Sequence, residues 1–368
     1  GYSFCVIDNA AFAWDNVKFL LTSSEFYSGQ KNLPELVDKL MKLTAKESVL
    51  ANASFNEFYE KKRDVSLWLS SSMFEGDRDI RSLARILDID LTDSYVAFFV
   101  NFDKDKVSLL ARFMPNEKLA KELDKFNSNR KFNSKLLTVF PKETYAVLSV
   151  TFDPEAIYER AKTNHYFKDA EQDIKSDLGV SLKEIFAGFG GSLLVSISGF
   201  EQEYYGIKPN INVAFDITNE EIFKKIITEL PFTDIVDGFY RLDGNIFLTH
   251  NKETVLISSM EGVKAFTEGG FKENLSDNAV KSKIADYPAY FFINLNYSDY
   301  PQNVKDVIDD ELRYETTVRK LLHGLAKNLE VNCINNTSAE VVIQIKENHE
   351  NSLQALIRVI DEIITEEL

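Results

Sequence analysis

"AGFGGSLLVSISG", residues 187–199, sets Gly188, Gly190 and Gly191 just ahead of Ser192 and an apolar run. Three glycines in four positions raise the question of a phosphate cradle. The order of the flanking segments answers it. A phosphate loop runs strand, glycines, helix, so that the amides of the helix N-terminus face the anion. Here "SLKEIFAGF" before the glycines has helical spacing and "GSLLVSIS" after them reads as a strand. Glycines that end a helix and launch a strand are backbone stop signals. No lysine follows in the Walker position, so no nucleotide cofactor is expected. Ser192 stands at a strand start and receives no catalytic role.

The same alternation of short pieces runs outward in both directions. "TYAVLSVTF" (144–152) reads as a strand and enters "DPEAIYERA", where Asp153 caps, Pro154 takes the first helical position and Glu155 suits the positive helix end. "INVAFDI" (211–217) leads into "TNEEIFKKIITEL", with Thr218 and Glu221 at capping-box spacing. Upstream, "KFLLTS" (18–23) and "DVSLWLSSS" (64–72) read as strands. "NLPELVDKLMKL" (32–43) sets Leu33, Leu36, Val37, Leu40 and Met41 on one helical face. "SYVAFFVNF" (94–102) and "KVSLLARFM" (106–114) flank a turn and predict a hairpin, and "NEKLAKELDKF" (116–126) predicts a helix. The final helix, "NSLQALIRVIDEII" (351–364), sets Leu353, Leu356, Ile357 and Ile360 on one face, which is expected to be the buried one. Neighbouring strands joined by tight turns favour antiparallel pairing over a doubly wound parallel sheet.

Some of these blocks recur. "IDNAAFAWDNVKFLLTSS" (7–24) aligns with "LDGNIFLTHNKETVLISS" (242–259), bringing Asp8 onto Asp243, Phe12 onto Phe247 and Asn16 onto Asn251. "LANASFNEFYEKKRDVSLWLSS" (50–71) resembles "LSDNAVKSKIADYPAYFFINL" (275–295), a short helix and then an aromatic strand. "VSLLARFMPNEKLAKELDKF" (107–126) resembles "AEVVIQIKENHENSLQALIRVI" (339–360), a strand, a polar turn and an amphipathic helix. Repeats of this kind set the architecture. The expected fold is α+β with duplicated modules, each a largely antiparallel β-sheet with packed α-helices. Residues 1–130 are read as the back half of a first module whose front half is absent from these residues, and 131–368 as a complete second module. The first module's sheet is then expected either to show an exposed edge or to be covered by the second module, and Phe12 and Phe247 to face equivalent cores.

The blocks "FPKETYAVLSVTFDPEAIYE" (140–159), "GFGGSLLVSISGF" (188–200), "PNINVAFDITNEEIFKKI" (209–226) and "LSDNAVKSKIADYPAYFFINL" (275–295) carry a resemblance. In texture and block order they resemble an uncharacterised family of large envelope lipoproteins of Bacteroides-type gut bacteria, known only as a domain of unknown function. The resemblance implies a secreted, lipid-anchored cell-envelope protein whose signal peptide and anchoring cysteine are trimmed off. Cys5 is not that cysteine, because "YSFCV" reads as a strand. The family brings no known activity, so it transfers no site.

Composition narrows the function further. The chain has 368 residues, 44% hydrophobic and 12% aromatic, enough for more than one core. Its net charge of −16 disfavours binding to nucleic acid or, by electrostatics, to an anionic membrane surface. No run is long and apolar enough to span a bilayer, so the membrane is reached only through the lipid anchor. Cys5 and Cys333 form no C-x-x-C pair and leave the redox compartment open. His165, His250, His323 and His349 have no zinc-site spacing. No cofactor and no metal are expected.

Several polar clusters invite chemistry. Glu201 with Glu203, Asp88 with Asp90, and Asp103 with Asp105 are close in sequence, and "KDVIDDELRYE" (305–315) gathers Asp306, Asp309, Asp310 and Glu311. The pairs read as solvated turns, and the acidic run as a solvated face near the start of a long helix. "NFDKDK" lacks the glycine and final glutamate of a calcium loop. Tyr204 and Tyr205 sit in a loop and either fold back on the core or stack on a sugar or protein partner. No residue is assigned a catalytic, cofactor or metal role. The leading expectation is a non-enzymatic envelope lipoprotein that binds or scaffolds a protein or glycan ligand. The alternative is a glycan-directed hydrolase using a carboxylate pair.

Overall fold

The computed structural model describes residues 3–7, 10–14, 19–23, 33–44, 46–74, 78, 82, 89–124, 130–203, 206–229, 234–346 and 351–367. They group into two compact units, Gly1–Lys62 and Arg63–Leu368.

In the smaller unit, β1 (Ser3–Ile7), β2 (Ala10–Trp14) and β3 (Phe19–Ser23) form an antiparallel meander. Helix α1 (Leu33–Met41) buries Leu33, Leu36, Val37 and Met41 in one cluster with Ala13, the face its sequence spacing predicts. Ser48 caps a 3-10 turn, Val49–Ala51. Asn52 caps α2 (Ala53–Glu60), accepting hydrogen bonds from the amides of Ser54 and Phe55. Phe12 and Leu21 keep their strand places, but their side chains lie outside the described residues, as do Asp8 and Asn16 entirely.

The larger unit begins with β4 (Val65–Ser70), β5 (Tyr95–Phe102), β6 (Lys106–Met114) and α3 (Glu117–Asp124). Next come β7 (Ala146–Thr151), α4 (Pro154–Ala161), α5 (His165–Leu178), α6 (Leu182–Gly188), β8 (Phe189–Glu203), β9 (Gly206–Ile217) and α7 (Glu220–Glu229). A second meander follows, β10 (Asp234–Val236), β11 (Phe239–Asp243), β12 (Ile246–His250) and β13 (Thr254–Ser258), then α8 (Met260–Thr267) and α9 (Val280–Asp286). The chain closes with β14 (Ala289–Asn294), α10 (Gln302–Glu311), α11 (Thr316–Gly324), β15 (Ala326–Asn335), β16 (Ser338–Ile345) and α12 (Ser352–Glu367).

Among the described residues these strands make one 13-stranded sheet in the order β10-β11-β12-β13-β9-β8-β7-β14-β15-β16-β6-β5-β4. Every neighbouring pair is antiparallel, including pairs such as β7–β14 and β6–β16 whose strands are far apart in the chain. The fold is α+β.

The near-continuous apolar runs of β12 and β13 follow from cover on both faces. The register sets Phe247 opposite Ser258 and Thr249 opposite Leu256, so these four share one face. Phe247 and Leu256 enter the main core with Val147, Leu194, Val263, Ile284 and Tyr290. Leu248, Val255 and Ile257 point the other way and pack with Ile217, Phe223 and Ile227. A strand buried on both sides loses its apolar–polar alternation.

Local chemistry starts α4 as expected. Asp153 accepts from the amides of Glu155 and Ala156 at 3.1 and 3.3 Å, with Pro154 next in line. At α7 the expected Thr218–Glu221 box is corrected. The helix begins at Glu220, so Asn219 accepts from the Glu221 amide, while the Thr218 hydroxyl donates to Ala187 O at 2.7 Å.

A larger correction concerns α12. Among its described side chains the buried ones are Ser352, Ala355 and Val359, with Leu356 partly buried beside Leu325 and Ile345, whereas Leu353, Ile357 and Ile360 are 41%, 56% and 47% exposed. The small residues let the helix sit close to the sheet and turn the larger apolar stripe outward. Among the described residues no helix is long and apolar enough to cross a membrane.

Candidate functional site

The glycine-rich start of β8 is a packing device. Gly188 ends α6 and Phe189 opens the strand. A Cβ on Gly190 would stand 2.6 Å from both carboxylate oxygens of buried Asp216. Asp216 needs that space because it accepts from the Ser192 amide at 2.7 Å and from the Asn133 side chain at 3.3 Å. Gly191 has φ +105°, and a Cβ there would clash with Phe152 O. Arg130 fastens the same segment, donating to Gly190 O at 2.8 Å and reaching Asp153 at 3.5 Å. Ser192 Oγ is buried and accepts from the Asn133 amide at 2.9 Å. The Asp216 carboxylate already occupies the Ser192 amide beside these glycines, and its charge would repel a phosphate there.

The residues that converge elsewhere come from three neighbouring elements. Tyr297 lies in the 3-10 turn after β14, Asp309 on α10 and His323 in the last turn of α11. Tyr297 Oη donates to Asp309 Oδ2 at 2.7 Å, and the Tyr297 and His323 rings stack with centroids 3.8 Å apart. His323 Nε2 lies 2.9 Å from Asp309 Oδ1, a close polar contact without hydrogen-bond alignment, and an ion pair when the imidazole is protonated. The hydrogen bond to Asp309, then burial and the nearby negative charge, push the Tyr297 hydroxyl up to about 12. Lys346 Nζ donates to His323 O at 2.6 Å, a cation satisfying a carbonyl at the helix C-terminus.

His323 also lines an open groove of about 410 Å³ between α11 and α12, with Arg319, Lys320, Arg358 and Glu362. Arg358 lies 3.7 Å from Glu362. The groove is cationic on a strongly acidic chain, which suits weak binding of an anionic group. Among the described residues, the hydrogen bonds and ion pairs around Tyr297, Asp309 and His323 include no serine or cysteine nucleophile.

Most of the carboxylates singled out in the sequence stand apart from this cluster. Asp90 is exposed, and hydrogen bonds from Thr92 hold its carboxyl below the usual range. Asp103 reaches Lys106 at 3.8 Å, and Glu201 accepts from Asn245 at 3.3 Å. In the acidic run, Asp306 accepts from Gln302 at 2.8 Å and Asp310 pairs with Arg313, while Asp309 joins the tyrosine and histidine. The long helix expected there is two helices. The acidic residues fall in the middle and at the end of α10, where the helix dipole opposes them and local cations or hydroxyls compensate. Asp88, Tyr204, Tyr205 and His349, and the side chains of Glu203 and His165, lie outside the described residues. Cys5 and Cys333 are free thiols, and burial pushes that of Cys333 up. Among the described residues no three His, Cys, Asp or Glu side chains are grouped to hold a metal ion.

Sequence reasoning noticed Asp309 and His323 separately and did not consider Tyr297. The break between α10 and α11 folds the histidine back onto the aspartate, and helical periodicity alone does not reveal such a return.

Residues 1–353 match the domain of unknown function DUF4836, and the chain belongs to that family. Neither the curated proteins nor the solved structures yield a match.

Proposed function

We propose that this chain is a non-enzymatic binding or scaffolding module of the cell envelope in Bacteroides-type bacteria, built by duplication and held to the membrane by an N-terminal lipid. The exposed Leu353–Ile357–Ile360 stripe of α12 carries the binding reading. A contiguous apolar surface of this kind is the mark of a partner site.

The order of elements supports the duplication. The meander β1–β2–β3 precedes α1, a capped 3-10 turn and α2, and β11–β12–β13 precedes α8, a capped 3-10 turn and α9. Ser48 caps the first turn and Asn274 the second. Four residues on, Asn52 accepts from the Ser54 amide at 2.9 Å and Asn278 from the Val280 amide at 3.1 Å. Each run then reaches a three-stranded meander, β4–β5–β6 or β14–β15–β16, and each meander is followed by a helix, α3 or α12. On this reading the first module's counterparts of β7, β8 and β9 are not among the described residues. The lipid anchor and envelope location rest on the block resemblance to envelope lipoproteins.

A cross-linking amino acid at Ile357, introduced into the full-length protein in cells, tests the binding reading. A discrete partner adduct, with no turnover of chromogenic glycosides by the purified protein, is the expected result. Glycan hydrolysis abolished by replacing a single carboxylate would establish the hydrolase instead.

A further inference from the structure

We propose that the pocket between α4, α6 and the start of β8 is a binding site for a small zwitterion, a free α-amino acid with an apolar side chain. The site is separate from the α12 stripe and does not depend on the repeat.

Local sequence builds the pocket. On α4, Tyr158 and Glu159 follow Glu155 by three and four residues, so all three share one helix face. The last turn of α6 brings Phe186 and Ala187 to the same space, and Phe189 opens β8 beside them. The aromatic walls are already packed. The Tyr158 and Phe186 rings lie 6.0 Å apart, and Phe167 of α5 braces them at 5.9 and 6.1 Å. Phe215 and Phe223 brace Phe189 from the other side at 5.3 and 5.2 Å. The Tyr158 hydroxyl donates to Glu171 at 3.2 Å and the Thr218 hydroxyl to Ala187 O at 2.7 Å. Walls fixed in this way need little ordering when a ligand enters.

The charges at the rim select the ligand. Arg130 is held by Gly190 O and Asp153, and Glu159 pairs with Lys162. Glu155 and Lys183 differ from these. Both are exposed and line the pocket, they do not pair with each other, and among the described residues neither side chain has a hydrogen-bond or ion-pair partner. An acid and a base set apart over one aromatic pocket match an ammonium and a carboxylate carried on one small molecule. A phosphate would be repelled by Glu155, and a simple amine would leave Lys183 unmatched. The pocket volume of about 230 Å³ falls below the roughly 300–1,000 Å³ of sites for drug-sized ligands. It suits a single amino acid whose side chain lies among Tyr158, Phe186 and Phe189. A residue inside a peptide carries neither end charge, so the occupant is the free amino acid.

The test uses the whole 368-residue protein and L-phenylalanine, with binding read by saturation-transfer difference NMR titration. Saturable binding is expected. Phenylalaninamide, which lacks the carboxylate, and N-acetylphenylalanine, which lacks the ammonium, should each bind roughly threefold or more weakly. Glu155→Gln should weaken phenylalanine by a similar factor and leave N-acetylphenylalanine unchanged. Lys183→Gln should weaken phenylalanine and leave phenylalaninamide unchanged, as pairwise coupling requires. Both side chains are exposed, so circular dichroism should show the fold unchanged. Arg319→Gln, in the groove between α11 and α12, should leave binding unaltered. Absence of saturable binding overturns the proposal, as does equal binding of both capped forms or indifference to both substitutions. Tighter binding of uncharged methyl glucoside also overturns it, since a sugar would then be the occupant.

Discussion

Leu109 faces Val341 across the antiparallel β6–β16 ladder. Phe113 N to Thr337 O at 2.7 Å and Ile345 N to Asp105 O at 3.0 Å tie the two ends of the same seam. From the seam outward the order is β16-β15-β14 on one side and β6-β5-β4 on the other. Two chain segments distant in sequence therefore depend on one line of backbone pairing. Val342, buried opposite Ser108 on that line, should not tolerate a charge. Val342→Asp is expected to lower stability by roughly 3 kcal/mol or more, and Val318→Asp, at an exposed position, by less than about 0.5 kcal/mol, in urea denaturation.

Gly190 should be irreplaceable as long as Asp216 is present. Gly190→Ala should destabilise by about 2–4 kcal/mol through overpacking against the carboxylate. Adding Asp216→Ala should recover part of that loss, because the two sites are in contact and not additive. Thermal melts of the single and double variants measure this. Saturating ATP or GTP should leave the melting temperature of the natural sequence unchanged, and a rise lost in Gly191→Val would restore the phosphate reading.

The α12 stripe gives a contrast inside one helix. Leu353→Ser and Ile357→Gln should change stability by less than about 0.5 kcal/mol, being exposed. Val359→Ala should cost about 1–3 kcal/mol, being buried. The opposite ranking in denaturation curves would return the stripe to the core.

Tyr297 and Tyr300 should ionise late. Asp309's hydrogen bond holds Tyr297 up to about 12, and burial, aided by neighbouring negative charge, holds Tyr300 up to about 12, against 10.0 for a free side chain. The folded state binds these protons more tightly than the unfolded chain does. Their contribution to stability is therefore complete below 10.0 and lost as pH rises toward 12. Alkaline titration by phenolate absorbance should place Tyr297 and Tyr300 among the late groups, with Tyr145, Tyr158 and Tyr290 also raised, and Asp309→Asn should bring one group back toward 10.0. A profile unchanged by that substitution would remove the Tyr297–Asp309 hydrogen bond from the account.

The elements were legible wherever one residue type had one local job. Asp153 capping α4, Leu33–Met41 forming one buried face, and the glycines ending α6 all follow from backbone chemistry read in place. The α12 face was misread because periodicity locates an apolar stripe without saying whether small residues on another face approach the sheet more closely. The Tyr297–Asp309–His323 cluster stayed hidden for a different reason. It depends on the turn between α10 and α11, a tertiary return with no periodic signature. Block order hinted at a common pattern in the two halves, but only strand register indicates how they meet, through the paired neighbours of Leu109 and Val341.

The central claim is that the meanders β4–β5–β6 and β14–β15–β16 join at β6–β16 in one register, and oxidative cross-linking tests it directly. In a background with Cys5→Ser and Cys333→Ser, the pair Leu109→Cys and Val341→Cys should cross-link rapidly, because the two positions face each other. The pair Leu109→Cys and Val342→Cys should not, since a one-residue step puts the second thiol on the opposite face of the sheet. Equal yields from both pairs, or preferential linkage of the stepped pair, would contradict the register and with it the joining of the two meanders in one sheet.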